Sequence, residues 1–194
     1  MGFEVRDHFL IGARRKLSPN SSDRINESDI SLLIIHNISL PPGEFGAGYI
    51  DQLFCNNLNP KNHTYFEKIS ELRVSSHLLI SRGGDVTQYV AFNRKAWHAG
   101  DSIFQGRKNC NEYSIGIELE GTDHEAFTDI QYETLICVTK ELLKNYPLIN
   151  RDGIQGHSDI APGRKTDPGP YFQWKKYFDG LEEISTQNPN EKSS

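Results

Sequence analysis

Residues 114 to 120 read SIGIELE, and this stretch constrains the fold most. Ile115, Ile117 and Leu119 alternate with Gly116, Glu118 and Glu120, the period of two expected of a strand with one apolar and one polar face. A strand needs partners, and the chain supplies them at a distance. SLLIIH (31–36) is a short β-branched apolar run typical of a buried strand, ending on a histidine. SSHLLI and VTQYVAF, joined by the turn SRGGD, read as two paired strands. Between and after them lie helical patterns. Two short amphipathic stretches fall near 48–55 and 64–71, and the clearest helix runs from about 129 to 145. There Thr128 and Gln131 form a capping box, and Leu135, Val138, Leu142 and Tyr146 form the apolar stripe. Cys137 beside that stripe is assigned to the core, and Pro170 is suited to open a last helix containing Trp174 and Phe178.

Strands interleaved with helices predict an α/β layer protein of one domain over residues 1–184. Residues 13–29 read as an irregular polar lead-in, and 185–194 as a disordered polar tail. A chain of 194 residues suits one core, and 36% hydrophobic with 24% charged residues is ordinary globular composition. The net charge of −5 argues against a nucleic-acid partner, and no apolar run is long enough for a membrane span. The N-terminal residues lack the pattern of a signal peptide, and the three cysteines, Cys55, Cys110 and Cys137, have no paired spacing. A cytoplasmic location with reduced thiols is the expectation.

The segment GHSDIAPGRKTDPGP (156–170) is too rich in glycine and proline for a regular element, yet it is dense in ionisable groups. His36 at a strand end and His157 after a glycine stand where metal ligands commonly stand. A lone strand-end histidine is more often structural, but a second histidine and an acid on a pinned loop shift that balance. A catalytic zinc takes about three protein ligands and one open position. Asp167 and Asp159 both reach the required place, and spacing does not choose between them. Glu118 and Glu120 share the polar strand face, where either is a candidate base for a zinc-bound water, against the plainer alternative of a solvated face. Lys165 is a candidate oxyanion stabiliser, although a loop lysine is more often simply solvated.

The blocks HNISLPPGEFG (36–46), RVSSHLLI (73–80), AWHAG (96–100), NEYSIGIELEGTD (111–123) and GRKTDPGP (163–170) strongly resemble the AmpD-type N-acetylmuramoyl-L-alanine amidases, within the wider zinc amidase and peptidoglycan-recognition family. The similarity runs from about residue 12 to 178, with the blocks in family order. The resemblance implies a central mixed β-sheet flanked by helices. It also implies zinc held by His36, His157 and Asp167, a catalytic Glu118 rather than Glu120, and a catalytic Lys165. The activity implied is hydrolysis of the bond between 1,6-anhydro-N-acetylmuramic acid and the L-alanine of the stem peptide, in cytoplasmic cell-wall recycling. Ser158-Asp159 stands where the family often has Cys-Asn, and Gly163 replaces a common glutamate.

For substrate contact, Asn37, Arg73, Trp97, His98 and Arg107 are the candidates. Trp97 and His98 offer a flat face and a donor for the sugar, and the arginines suit peptide carboxylates. Asn37 is placed either on substrate or behind His36. His8, His63, His77 and His124 have no matched role. The expected partner is a small anhydromuropeptide, with no nucleic acid and no membrane, and a monomer is favoured. Action on intact murein and a non-catalytic recognition module are the alternatives, and the full set of matched residues weighs against the latter.

Overall fold

Seven consecutive residues that alternate faces need neighbours on both sides, and SIGIELE has them. The computed structural model describes residues 2–182. Its strands are β1 (Glu4–Arg6), β2 (Phe9–Ile11), β3 (Arg14–Arg15), β4 (Ser21–Asp23), β5 (Leu32–Ile38), β6 (Leu78–Ile80), β7 (Val86–Gln88), β8 (Arg94–Ala96), β9 (Ile103–Phe104), β10 (Arg107–Lys108), β11 (Ser114–Glu120) and β12 (Ile154–Gly156). The helices are α1 (Tyr49–Phe54), α2 (Phe66–Ile69), α3 (Asp129–Asn145), α4 (His157–Ile160) and α5 (Trp174–Glu182).

The main sheet has the order β12-β5-β11-β6-β7-β3. β12, β5, β11 and β6 run parallel, β7 returns antiparallel to β6, and β3 joins β7 in parallel. β11 pairs with β5 along its whole length, from Ser114↔Leu32 to Glu120↔Ile38. A mixed sheet flanked by helices, in a single α/β domain, is the fold that results.

Each face of the sheet has its own core. Leu33, Ile35, Leu78, Ile80, Ile115, Ile117 and Leu119 bury against Leu135, Val138 and Leu142 of α3 and Tyr177 of α5. On the opposite face, Leu79 joins Ile50, Leu53, Phe54 and Phe66 of α1 and α2. Leu32 and Ile34 pack with Ala99, Cys110, Tyr113 and Ile160. Between these last two clusters the polar residues of β5 and β11 emerge. α3 begins at its capping box, where Thr128 Oγ1 accepts from Gln131 N and Gln131 Oε1 accepts from Thr128 N.

Several expectations are corrected. β5 continues two residues beyond His36 to Ile38, because Glu120 of β11 still offers it a partner. The polar face of β11 is not solvated: all seven residues are buried, since loops and helices cover it. The lead-in is not wholly irregular, for Arg14–Arg15 extends the sheet edge and Ser21–Asp23 pairs with β8, while β1 and β2 form a hairpin ahead of it. α5 opens at Trp174, four residues after Pro170. Cys137 is exposed, on the outer side of α3. The proposed tail, 185–194, lies outside the described residues.

Candidate active site

β11 presents Ser114, Gly116, Glu118 and Glu120 on one face by simple alternation. Each has a different surrounding. Ser114 Oγ lies 3.2 Å from His98 Nε2. Gly116 has the His98 ring packed directly against it. Glu118 stands beside His36 of β5 as its register partner. Glu120 accepts from the backbone N–H groups of Gly46 and Arg82, at 2.6 and 3.1 Å, and so ties two loops to the sheet. The two glutamates that strand spacing leaves equivalent differ in their surroundings: Glu120 is committed to backbone, and Glu118 Oε2 is buried without a hydrogen-bond partner among the described residues.

His36, His157 and Asp167 converge from three places. His36 rides on β5. His157 is the first residue of α4, delivered by β12, which pairs beside β5. Asp167 returns along the loop, whose path is held by Ser158 N donating to Asp167 O at 2.9 Å. The three donor atoms form a near-equilateral triangle. His36 Nδ1 is 3.0 Å from His157 Nδ1 and 2.9 Å from Asp167 Oδ2, and His157 Nδ1 is 3.1 Å from the same oxygen. Tetrahedral zinc with bonds of ~2.0–2.2 Å spaces its ligands by roughly 3.3–3.6 Å, so this triangle is within a few tenths of an ångström of the size such an ion needs.

The ring tautomers agree with that use. His157 Nε2 lies 3.1 Å from the carbonyl of Ala99, which only accepts, so Nε2 carries the proton and Nδ1 is left as a lone pair. His36 Nε2 faces His98 Nδ1 at 2.9 Å. Burial drives the His36 pKa down to about 4, against the opposing pull of the Asp167 carboxylate beside it, so the ring is neutral near pH 7. Burial pushes Asp167 up, but the His157 and His36 rings that face its Oδ2 outweigh this and hold it well below the usual carboxylate range. Two neutral imidazoles and one carboxylate are the donor set of a borderline cation, and the residues fit it. Glu118 behaves oppositely: burial, reinforced by the nearby Asp167 charge, raises it well above an ordinary glutamate.

These groups line an open cavity of about 490 Å³. Its lining is in part apolar, with Tyr65, Ile69, Leu72, Val74 and Trp97, and in part polar, with Asn37, Thr122, Asp123, Lys165 and Thr166. Lys165 is exposed there, with no ion-pair partner among the described residues. Trp97 is pinned by its N–H to Ser75 Oγ and its indole N–H to Ser22 Oγ.

The remaining sequence candidates divide. Asn37 lines the cavity, and its side-chain amide donates to Asp123 Oδ1 at 2.6 Å rather than to the His36 ring. His98 also lines the cavity, but its Nδ1 and Nε2 face His36 and Ser114, so both ring nitrogens are already engaged. Arg73 and Arg107 do not reach the cavity. Arg73 is held near Glu71 on the surface, and Arg107 is drawn away by its ion pair with Asp29 and stacks on Tyr113. Asp159 also has an occupation: it accepts from Gly156 N at 2.8 Å, securing the first turn of α4 rather than competing with Asp167.

Two further participants, Arg164 and Asp123, lie inside blocks that carry the resemblance but were not among the candidates. Arg164 donates to the carbonyls of Ala99 and Asp101, both at 2.6 Å through Nη2, fastening the late loop to the AWHAG turn that orients His157. Asp123 packs against Gly169, where a Cβ would lie 2.6 Å from Asp123 Cα, so the loop after β11 braces the loop carrying Asp167.

The sequence profile of N-acetylmuramoyl-L-alanine amidases matches residues 26–170, which contain every residue of the triangle. The chain is 51% identical over 178 residues to the 1,6-anhydro-N-acetylmuramyl-L-alanine amidase AmpD of Haemophilus influenzae, covering 92% of this chain and 97% of the relative. It is 53% identical over 169 residues to the Escherichia coli protein of that name, covering 87% and 92%. A crystal structure of a selenomethionine AmpD derivative superposes with a TM-score of 0.89 at 51% identity, over 91% of this chain and 98% of that one. Matched in profile, in full-length sequence and in fold, the chain belongs to the N-acetylmuramoyl-L-alanine amidase family.

Proposed function

We propose that this protein is a zinc-dependent amidase that hydrolyses the amide between the lactyl group of 1,6-anhydro-N-acetylmuramic acid and the L-alanine of the stem peptide, in cell-wall recycling. The observation that carries this reading is the pairing of a three-donor triangle with a buried, unpartnered carboxylate beside it. The relatives at 51% and 53% identity are named for this bond, which supports the choice of substrate.

His36 Nδ1, His157 Nδ1 and Asp167 Oδ2 would hold the ion. When bound, zinc makes water acidic near neutral pH and polarises a carbonyl. Glu118 accepts the proton of the attacking water and passes it to the leaving alanine nitrogen as the carbon–nitrogen bond breaks. Lys165, exposed in the cavity lining, brings its ammonium to the carbonyl oxygen as negative charge develops there. The apolar lining around Trp97 takes the sugar, and Asn37, already oriented by Asp123, takes a polar group of substrate.

No described helix is long and apolar enough to cross a membrane. The same reading takes the cytoplasm as the compartment, in keeping with free Cys55, Cys110 and Cys137, and a monomer as the working form. Hydrolysis of an anhydromuropeptide and of intact sacculi, each with and without chelator, tests it. Release of free stem peptide from the anhydromuropeptide, lost with chelator and restored by zinc, is expected. Cleavage that survives complete metal removal, or binding without cleavage, defeats the reading.

A further inference from the structure

The His98 ring is held more firmly than a substrate contact requires. Its own N–H and that of Ala99 both donate to Asn111 Oδ1, at 3.2 and 2.8 Å, and the preceding residue is bonded to Ser75. The imidazole therefore projects from a fixed backbone. Its Nδ1 meets His36 Nε2 at 2.9 Å, with the rings edge to face at 88°, and its Nε2 meets Ser114 Oγ at 3.2 Å. His77 packs against its other side, ring centroids 5.6 Å apart, and is itself fixed because Gly116 N donates to His77 Nδ1 and His77 Nε2 faces the Arg94 carbonyl.

Room for this ring exists only because β11 has no side chain at 116. A Cβ there would lie 2.5 Å from His98 Nδ1, the same atom that meets His36. Gly116 breaks an otherwise β-favouring strand, and a glycine inside a strand marks a close approach. Metal-ligating histidines need a partner for the second ring nitrogen, because that partner selects the tautomer and aims the ring.

We propose that His98, seated in the gap at Gly116 and anchored by Ser114, is the positioning residue for His36. It accepts a hydrogen bond from His36 Nε2–H and so keeps Nδ1 unprotonated and directed at His157 and Asp167. This inference rests on the metal reading above. It gives the alternation of β11 a continuous purpose: Ser114 fixes His98, Gly116 admits it, and Glu118 works beside the histidine it aims.

The test is zinc affinity by competition with a chromophoric chelator, together with the visible spectrum of the cobalt-substituted protein. His98→Phe keeps the ring volume and removes the acceptor; a loss of about 10–100-fold in affinity and an altered cobalt spectrum are expected. His98→Asn returns an acceptor oxygen and should recover most of that affinity. Gly116→Ala should weaken zinc binding with His98 intact, and it provides a second route if the Phe variant does not fold. A His98→Phe protein that folds, binds zinc within twofold of wild type and shows the wild-type cobalt spectrum overturns the inference alone. So does a rise in KM without change in metal affinity, which would make His98 a substrate contact. Wild-type protein that takes up neither metal overturns the metal reading and this inference with it.

Discussion

Glu118 and His36 are direct register partners on adjacent parallel strands, so a buried carboxylate and a buried imidazole share one face of the sheet. Hydrogen bonding across the sheet fixes their separation, and neither depends on a flexible loop for its place. Catalytic geometry is best kept on such rigid elements.

Replacing Glu118 by Gln should lower kcat by about 10²–10⁴-fold while zinc stays bound, since a general base is lost and no ligand is. The same variant carries a stability signature. The folded-state pKa is raised, so folding retains a proton that the unfolded chain releases above its ordinary carboxylate range. Wild-type stability therefore falls as pH rises from that range up to the raised folded-state value, and Glu118→Gln escapes the loss. Urea melts of chelator-treated protein should show the variant gaining on wild type above about pH 4.5, with the gap closing below it. An equal gap at every pH would contradict this account.

Lys165 is exposed and unpaired among the described residues. Lys165→Ala should therefore leave melting temperature and metal content unchanged and cut kcat by about 10²–10³-fold, the usual cost of one oxyanion donor. An effect confined to KM would remove it from the chemistry.

The two aspartates of the late loop should separate cleanly. Asp167→Ala removes a corner of the triangle and should abolish zinc retention on gel filtration. Asp159→Ala loses only the bond to Gly156 N, so zinc should be retained and stability should fall by roughly 0.5–1.5 kcal/mol in denaturant titration.

His77 is buried with its pKa pushed down to about 3, first by burial and then by the Arg24 charge. It is neutral when folded and protonated when unfolded between about pH 6.5 and 3, so its contribution is complete above pH 6.5 and is lost on acidification. That predicts a slope of up to about 1.4 kcal/mol per pH unit across the window. His77→Asn should show a shallower acid decline than wild type, whatever its stability at pH 7; parallel curves would exclude His77 as a source.

The helix at 129–145 was legible to its ends because its capping box and stripe are local signals. The paired strands were legible for the same reason, although Tyr89–Phe92 lies outside β7 despite strand-like composition. What stayed hidden depends on contacts between distant segments. Glu118 and Glu120 are identical in type and spacing, so in the sequence only the resemblance separates them; in the structure it is the loops at Gly46 and Arg82, reaching in to bind Glu120, that make their surroundings differ. The same holds for Asp159 against Asp167, and for His98, whose partners are 62 and 16 residues away in the chain. Arg107 had the right chemistry for a peptide carboxylate, and nothing in its own neighbourhood announced that Asp29 already engaged it, whereas the partner of Arg73, Glu71, stands only two residues before it.

The alternation of β11 has a consequence for how errors in folding are exposed. A slip of one residue against β5 would turn Ser114, Gly116, Glu118 and Glu120 into the hydrophobic layer beneath α3 and bring Ile115, Ile117 and Leu119 out to the cavity. Two glutamates buried among leucines would unfold such a chain before it could persist. A misthreaded molecule therefore has no stable, inactive form to occupy: the pairing that assembles the catalytic face is the one that makes the protein solid, and each certifies the other.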